Sequence, residues 1–265
     1  MRGLDKDGAA ANFCETEHII TYKDNNVWTI ASHLQIRGSI PLLWSMKPNM
    51  KWAPPVVVNQ DFEASLVVAK KHITETNAEY KKQYFVNLID KKGSQQRIGD
   101  KMTQLITQLN DPDIEYVWFD FHGECKKMKW ENLSKLVTQV KEKMVSYGHF
   151  MAELDVGIGQ RNQIDSKTCR ILSTQAGVMR TNCMDCLDRT NVVQGVFSRN
   201  IAHVQLHKVG LSGKPKEGSP FEKFTTNEME TAFRNAWTDN ADALSILYTG
   251  TPALKTDFTR TGKRT

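Results

Sequence analysis

Residues 180–191 read RTNCMDCLDRTN, and this stretch decides the fold. Cys183 and Arg189 form a C-x5-R pattern within it, and no other cysteine of the chain has an arginine six places further on. The apolar residues 176–179 before it predict a strand, and the pattern of residues 190–209 after it predicts a helix. A strand, a short loop and a helix N-terminus in this order can cradle a phosphate, so the segment predicts a phosphate-binding loop in an α/β fold.

This loop has the parts that cysteine-dependent phosphate chemistry needs. Backbone N–H groups and the positive end of the helix lower the pKa of a thiol at the start of the loop, which makes Cys183 the predicted nucleophile. The five intervening residues let the chain wrap an anion and return the planar guanidinium of Arg189 to two phosphate oxygens. The pattern therefore predicts in-line attack on phosphorus through a phosphocysteine, with no metal ion or other cofactor required.

Two carboxylates in the loop are candidates for the general acid that protonates the departing alcohol. A neighbouring thiolate or phosphate raises the pKa of a carboxyl group by repulsion, which suits both Asp185 and Asp188. One of them could donate the proton while the other orients Arg189, or either could cap a backbone N–H instead. Thr190 could donate a hydrogen bond to the Cys183 sulfur or serve only as an N-cap.

A second segment with an acidic residue is a weaker candidate for the general acid. Trp118-Phe119-Asp120 superficially resembles the acid loop of tyrosine phosphatases. It lies, however, in an apolar pattern that predicts a strand over residues 116–122, so a catalytic Asp120 or His122 is the weaker hypothesis.

Zinc and redox interpretations compete with the phosphate loop. Cys183 and Cys186 form C-x2-C, and His203 and His207 form H-x3-H further along the chain. If residues 190–209 are one helix, His203 lies roughly 20 Å along it from the loop at about 1.5 Å per residue, too far for the four side chains to bind one ion. A redox C-x2-C would leave the arginine of the pattern unexplained.

Composition bounds the class of protein. The chain has 265 residues, of which 40% are hydrophobic and 25% charged, as expected for a soluble protein with one large domain or two small ones. The formal charge of +5 favours an anionic lipid surface over nucleic acid, because the chain lacks an Arg-rich tail and an RNA-binding aromatic run. Its lysine pairs could also be ordinary solvated surface.

The cysteines and the apolar runs bear on the compartment. Five cysteines form an odd set, which favours a reducing compartment over a disulfide framework. The charged N-terminus does not resemble a signal peptide, and no window of 18 apolar residues predicts a membrane span.

Strands and helices alternate along the rest of the chain, which predicts a central mixed sheet flanked by helices. A hairpin with its turn at residues 23–26 opens the pattern, residues 41–55 read as extended or irregular, residues 210–220 as a surface loop and residues 250–265 as a basic irregular tail. The strand candidates are 18–21, 27–30, 84–89, 116–122, 150–156 and 170–174, and the helix candidates are 61–82, 99–109, 130–147, 190–209, 221–237 and 239–248.

The flanks of the C-x5-R pattern extend a resemblance over nearly the whole chain. Residues 180–191 resemble the signature of the Sac-domain phosphoinositide phosphatases, and residues 2–17, 37–45 and 119–122 resemble three further segments of that family. The closing residues, 250–265, resemble the integral-membrane branch that removes phosphate from phosphatidylinositol 4-phosphate.

The resemblance implies a function and a set of site residues. It implies hydrolysis of phosphatidylinositol monophosphates, the 4-phosphate before the 3-phosphate, at the cytosolic face of endoplasmic reticulum or Golgi membranes. Cys183 is the implied nucleophile and Arg189 the phosphate binder. The implied phosphate contacts are Met184, Cys186, Leu187, Thr190 and Asn191, and the candidates for further substrate contacts are Arg37, Lys126 and Lys127.

The resemblance also sets expectations about domain organisation. Residues 1–265 are expected to form one Sac-type catalytic domain that lacks the family's N-terminal subdomain and its C-terminal membrane helices. The alternative is a truncated form that binds phosphoinositides without turning them over. The sequence identifies no protein partner.

Overall fold

The computed structural model describes residues 2–46, 55–155, 169–215 and 221–254. A seven-stranded sheet forms its centre, with the order β6-β5-β9-β2-β7-β8 and with β1 paired to β2. The strands are β1 Cys14–Asp24, β2 Val27–Arg37, β3 Trp44–Met46, β4 Val56–Val58, β5 Lys82–Asn87, β6 Ile114–Trp118, β7 Phe150–Asp155, β8 Cys169–Ser173 and β9 Gly177–Asn182. The helices are α1 Phe62–Tyr80, α2 Gly93–Leu109, α3 Phe121–Glu124, α4 Leu133–Tyr147, α5 Asp188–Lys208 and α6 Asn227–Thr249.

The sheet is mixed because β2 has different neighbours at its two ends. Residues 27–32 of β2 pair antiparallel with β7, whereas residues 35–37 pair parallel with β9. Strands β5, β6 and β9 are parallel to one another. This mixed sheet with flanking helices confirms the predicted α/β class.

Helices cover both faces of the parallel part. In β5, Tyr84 and Val86 face a core that includes α4 and α5, whereas Phe85 faces a core that includes α1 and α2. Because successive strand residues point to opposite faces, a strand buried on both sides needs a continuous apolar run. Residues 84–86 of β5 meet that need, whereas β9 buries Val178 and Met179 together with the polar residues 180–182. Strand β9 lies between β5 and β2, so its following loop lies near the middle of the sheet.

The strand predicted over residues 116–122 is wrong beyond Trp118. The side chain of Asp120 accepts a hydrogen bond from the backbone N–H of Gly123 at 2.8 Å and starts the short helix α3. An aspartate that caps a helix ends a strand pattern even when its neighbours are apolar.

The prediction of two helices over residues 221–237 and 239–248 is also wrong. A single helix, α6, runs from Asn227 to Thr249, and the Thr226 hydroxyl caps it by accepting from the backbone N–H of Met229. At the predicted gap between the two helices, the Thr238 hydroxyl donates to the Arg234 carbonyl at 2.8 Å within the continuous helix.

Other boundaries shift. The hairpin is longer than predicted. Residues 44–46, expected to be extended or irregular, pair with residues 56–58, for which no element was predicted, in a small two-stranded sheet. Helix α2 begins at Gly93 rather than residue 99, and α4 begins at Leu133 after two short 3-10 turns. Residue 156, residues 216–220 of the predicted loop and residues 255–265 of the predicted tail lie outside the described residues.

Candidate active site

The C-x5-R segment forms a tight loop between the central strand β9 and the N-terminus of α5. Cys183 follows the last residue of β9 and is fully buried. Cys186 adopts φ +59, a left-handed conformation that turns the chain back toward the helix. The sequence pattern therefore predicted the local geometry of this loop correctly.

The sulfur of Cys183 lies among hydrogen-bonding groups of its own loop. It accepts from the backbone N–H of Cys186 at 3.2 Å and from the Thr190 hydroxyl at 3.4 Å, and it lies 3.3 Å from Asp185 Oδ1. Of the two roles considered for Thr190, the structure shows the contact with the sulfur.

These contacts change the acidity of the two neighbouring thiols. Burial raises the pKa of Cys183, but the Cys186 thiol, the charge of Arg189 and the Thr190 hydroxyl outweigh burial and the repulsion of Asp185, so the pKa lies below the ordinary value of 9.0. The pKa of Cys186 is raised well above that value by its hydrogen bond to Cys183 and by burial. Of the two thiols, Cys183 is therefore the one whose pKa is lowered.

Arg189 is held at the end of strand β5. Its Nη1 donates to the Leu88 carbonyl at 3.3 Å and to Gln95 Oε1 at 3.4 Å, and lies 3.6 Å from Asp90 Oδ1. The side-chain amide of Gln95 also donates to Asp90 at 3.2 Å. Asp90 is thus a carboxylate beside Arg189 that the loop pattern did not predict.

Asp90 also brings His122 to the site. His122 Nδ1 lies 2.9 Å from Asp90 Oδ1, the oxygen that faces Arg189. Asp120 bonds the backbone N–H groups of Gly123 and Lys91, at 2.8 and 3.3 Å, and so ties the two segments together. The signal for this cluster was available in principle, because the carboxyl ends of parallel strands meet at one edge of a sheet.

The two loop carboxylates have different positions. Asp185 Oδ1 accepts from the backbone N–H of Leu187 at 3.1 Å and faces the Cys183 sulfur. Asp188 is the first residue of α5 and is partly buried. A general-acid role for either Asp185 or Asp188 stays a prediction.

The remaining predicted phosphate contacts are distributed around the loop. Met184 packs into the core formed with α1 and α2. The side chain of Asn191 donates to the Trp237 carbonyl and accepts from Asn240, so it faces α6. Contacts of Met184, Cys186, Leu187, Thr190 and Asn191 with a phosphate stay predictions.

The three basic residues proposed to touch substrate are placed very differently. Lys126 and Lys127 are exposed on the 3-10 turn after α3. Arg37 is only 2% exposed and donates to the Cys186 carbonyl at 3.2 Å. Substrate contacts for all three stay predictions.

The zinc interpretation does not match the arrangement of these side chains. Helix α5 is continuous, and His203 bonds the Glu222 carbonyl while His207 bonds the Ser212 carbonyl. Over the described ranges, no group of three or more His, Cys, Asp or Glu side chains could hold a metal ion. Within the same ranges, no helix combines the length and apolar character needed to cross a membrane.

Comparison with known proteins gives the same family from the whole chain. The SacI homology domain matches residues 1–126. Phosphatidylinositol-3-phosphatase SAC1-A of Danio rerio is 39% identical over 268 residues, which cover 100% of this chain and 41% of the relative. Phosphatidylinositol-3-phosphatase SAC1 of Saccharomyces cerevisiae is 40% identical, with coverage of 100% and 40%, and phosphoinositide phosphatase SAC6 of Arabidopsis thaliana is 33% identical, with coverage of 100% and 41%. The chain therefore spans about two fifths of the length of these relatives.

Proposed function

Because this chain belongs to the Sac-domain family of phosphoinositide phosphatases, we propose that it hydrolyses a phosphate monoester of a phosphoinositide headgroup at Cys183. The observation that carries the proposal is the environment of this sulfur. It accepts hydrogen bonds from the Cys186 N–H and the Thr190 hydroxyl, and its pKa is lowered. A buried thiolate at the N-terminus of a helix is the nucleophile that this chemistry requires.

The proposed reaction uses these groups in two steps. The Cys183 thiolate attacks phosphorus, the bond from phosphorus to the inositol oxygen breaks, and a protonated carboxyl group gives its proton to that oxygen. Asp185, beside the sulfur, and Asp188, at the start of α5, are the two candidates for this acid. Water then attacks the phosphocysteine and gives a proton to the carboxylate left by the first step. Inorganic phosphate forms, and the Cys183 thiolate leaves with help from the Thr190 hydroxyl.

Arg189 supplies the second requirement, a charge that stabilises the transferring phosphoryl group. Its Nη1 now donates to a carbonyl and to an amide oxygen and lies 3.6 Å from the Asp90 carboxylate. A phosphate offers two charged oxygens to the planar fork, so we expect the guanidinium to turn toward the loop on binding. Asp90 and Gln95 then limit how far it can move.

The preferred substrate in this proposal is phosphatidylinositol 4-phosphate, with the 3-phosphate as the second choice. The 4-phosphate rests on the resemblance of residues 250–265, whereas the names of several relatives specify a 3-phosphatase. Both lipids have one monoester on an inositol ring, so the same attack geometry serves either. The proposed place of action is the cytosolic face of endoplasmic reticulum or Golgi membranes.

The decisive experiment compares the parent with Cys183→Ser in phosphate release from vesicles that carry either monophosphate, with and without a chelator. We expect release by the parent that survives chelation, and a loss of at least about a thousandfold in the variant, because a serine hydroxyl is not ionised at neutral pH. Cys169→Ser, an exposed cysteine on β8, is the matched control and should behave as the parent.

The other results have distinct meanings. Equal release by the parent and Cys183→Ser would overturn the cysteine mechanism. Binding to the phosphoinositide vesicles without any release, by a folded parent, would favour the alternative of a binding module.

A further inference from the structure

Two carbonyl groups of the phosphate loop are bonded from outside the loop. The Asp185 carbonyl accepts from Asn12 Nδ2 at 2.7 Å, and the Cys186 carbonyl accepts from Arg37 Nη1 at 3.2 Å. The donors come from the N-terminal segment and from the end of β2, more than 140 residues away along the chain. Neither contact is explained by the packing of the core.

These contacts decide where the amides of the same peptide units point. In a trans peptide the N–H lies opposite the carbonyl. The unit whose carbonyl meets Asn12 directs the Cys186 N–H to the Cys183 sulfur at 3.2 Å. The unit whose carbonyl meets Arg37 directs the Leu187 N–H to Asp185 Oδ1 at 3.1 Å. Both amides therefore lie on the side of the nucleophile.

The loop needs such support because its backbone is in an uncommon conformation. Cys186 has φ +59, a left-handed value that residues other than glycine and asparagine seldom adopt. Rotation of either peptide unit would turn a carbonyl oxygen toward the bound anion. Outside donors on both carbonyls prevent that rotation.

The two donors are themselves fixed in place. Arg37 is 2% exposed, and its Nη2 donates to Gln194 Oε1 at 2.5 Å and to Asn191 Oδ1 at 3.4 Å. Its three acceptors are all neutral, so its positive charge remains available beside the loop. Asn12 adopts φ +56, and its neighbour Ala11 is anchored by the backbone bond from Ser39 at 2.8 Å.

We propose that Asn12 and Arg37 are positioning residues that hold the Asp185 and Cys186 carbonyls behind the loop, so that the Cys186 and Leu187 amides face the transferring phosphate. This inference rests on the proposed function. In this proposal, Arg37 holds the loop backbone and places a positive charge behind the loop. It also gives the N-terminal segment a role in the chemistry.

The first test uses Asn12→Gly and Asn12→Asp. Glycine accepts the left-handed backbone but removes the donor, and aspartate keeps the shape but replaces the donor with an acceptor. We expect both to lower kcat by about tenfold or more, since misdirected oxyanion donors are costly, with less than about a threefold change in KM for vesicle lipid. Asn25→Gly, at another left-handed asparagine in the hairpin turn, is the matched control and should leave kcat unchanged.

The second test concerns Arg37. Arg37→Gln is compared with Arg180→Gln, which removes another fully buried guanidinium, one whose Nη1 meets His72 at 2.7 Å and not a loop carbonyl. Binding of inorganic phosphate is measured by calorimetry, and folding by thermal unfolding. We expect both variants to lose stability. We expect Arg37→Gln to weaken phosphate binding by about tenfold or more relative to Arg180→Gln. Arg37→Lys, which keeps one donor and the charge, should recover part of that binding.

The outcomes separate this inference from the function on which it rests. If Asn12→Gly keeps the parent's kcat and phosphate affinity, Asn12 has no positioning role. If Arg37→Gln loses no more phosphate binding than Arg180→Gln, Arg37 serves folding alone. A folded parent that neither binds phosphate nor releases it from lipid would overturn the proposed function and this inference together.

Discussion

At the scale of single residues, the loop combines the proposed nucleophile, Cys183, with a cation, Arg189, six positions further along the sequence. Burial alone would keep the Cys183 thiol neutral, yet its hydrogen bonds and the Arg189 charge lower the pKa. Charged groups in a buried site interact more strongly than in water, so the Arg189 charge adds to the lowering of this pKa by the Cys186 thiol.

Arg189→Lys tests the form of the cation. Lysine keeps the positive charge but loses the planar fork that meets two phosphate oxygens, so we expect kcat/KM for the phosphoinositide to fall by about a hundredfold or more. Arg97→Lys, at an exposed arginine on α2, is the matched control and should change kcat/KM by less than about twofold. Full activity in Arg189→Lys would show that a point charge suffices and that bidentate contact is not used.

At the scale of elements, the hairpin and α5 enclose a group of histidines that the proposed chemistry does not use. His18 and His33 face each other across β1 and β2, with ring centroids 5.6 Å apart, and Gln205 of α5 bonds His18 at 2.7 Å. Burial lowers the pKa of His18 and that of His33, and it lowers the pKa of His149 to about 4, helped by nearby Lys208. All three are therefore neutral in the folded protein at pH 7.

These histidines make the fold sensitive to acid. As pH falls below 6.5, the unfolded chain gains protons that the folded chain excludes, so the free energy of unfolding decreases until the folded pKa, about 4 for His149, is reached. We expect the urea midpoint of the parent to be lower at pH 5 than at pH 7.5. His33→Gln should reduce that difference, because it removes one group whose folded pKa is lowered.

The control for this experiment is His207→Gln, at an exposed position near the end of α5. It should leave the pH dependence of the urea midpoint as in the parent. If His33→Gln and His207→Gln have the same pH dependence as the parent, the acid sensitivity comes from other groups.

At the scale of the whole molecule, the charge distribution bears on how the site meets a lipid surface. The formal charge is +5, and Lys126 and Lys127 are exposed on the turn that follows α3, the helix whose His122 reaches Asp90 in the site. Each lysine near an anionic surface contributes about 1 kcal/mol to binding, and salt screens this attraction over about 10 Å at 0.1 M. Encounter with membranes is therefore expected to depend on ionic strength.

Binding to vesicles that contain phosphatidylinositol 4-phosphate should weaken by about tenfold or more in the double variant Lys126→Glu, Lys127→Glu at 0.1 M salt, and by much less at 0.5 M salt. Sedimentation with the vesicles measures it. The double variant Lys70→Glu, Lys71→Glu on α1 changes the net charge by the same amount and is the control. It should bind the vesicles more tightly than the Lys126→Glu, Lys127→Glu variant. Equal losses in the two variants would mean that only net charge matters.

The sequence by itself determined the unit of β9, loop and α5, because a strand, a phosphate loop and a helix are specified by neighbours along the chain. It also determined most of the alternating strands and helices, from local apolar patterns. It failed where one capping residue overrides such a pattern, as Asp120 does after β6.

Only the tertiary structure decided what surrounds the loop. Asp90 meets Arg189, and His122 meets Asp90, because the ends of neighbouring strands lie at one edge of the sheet. Arg37 reaches a loop carbonyl because β2 lies beside β9, and Asn12 reaches another from the segment before β1. Such contacts depend on strand order, which is set by the packing of the whole chain and not by the spacing of residues within any one segment.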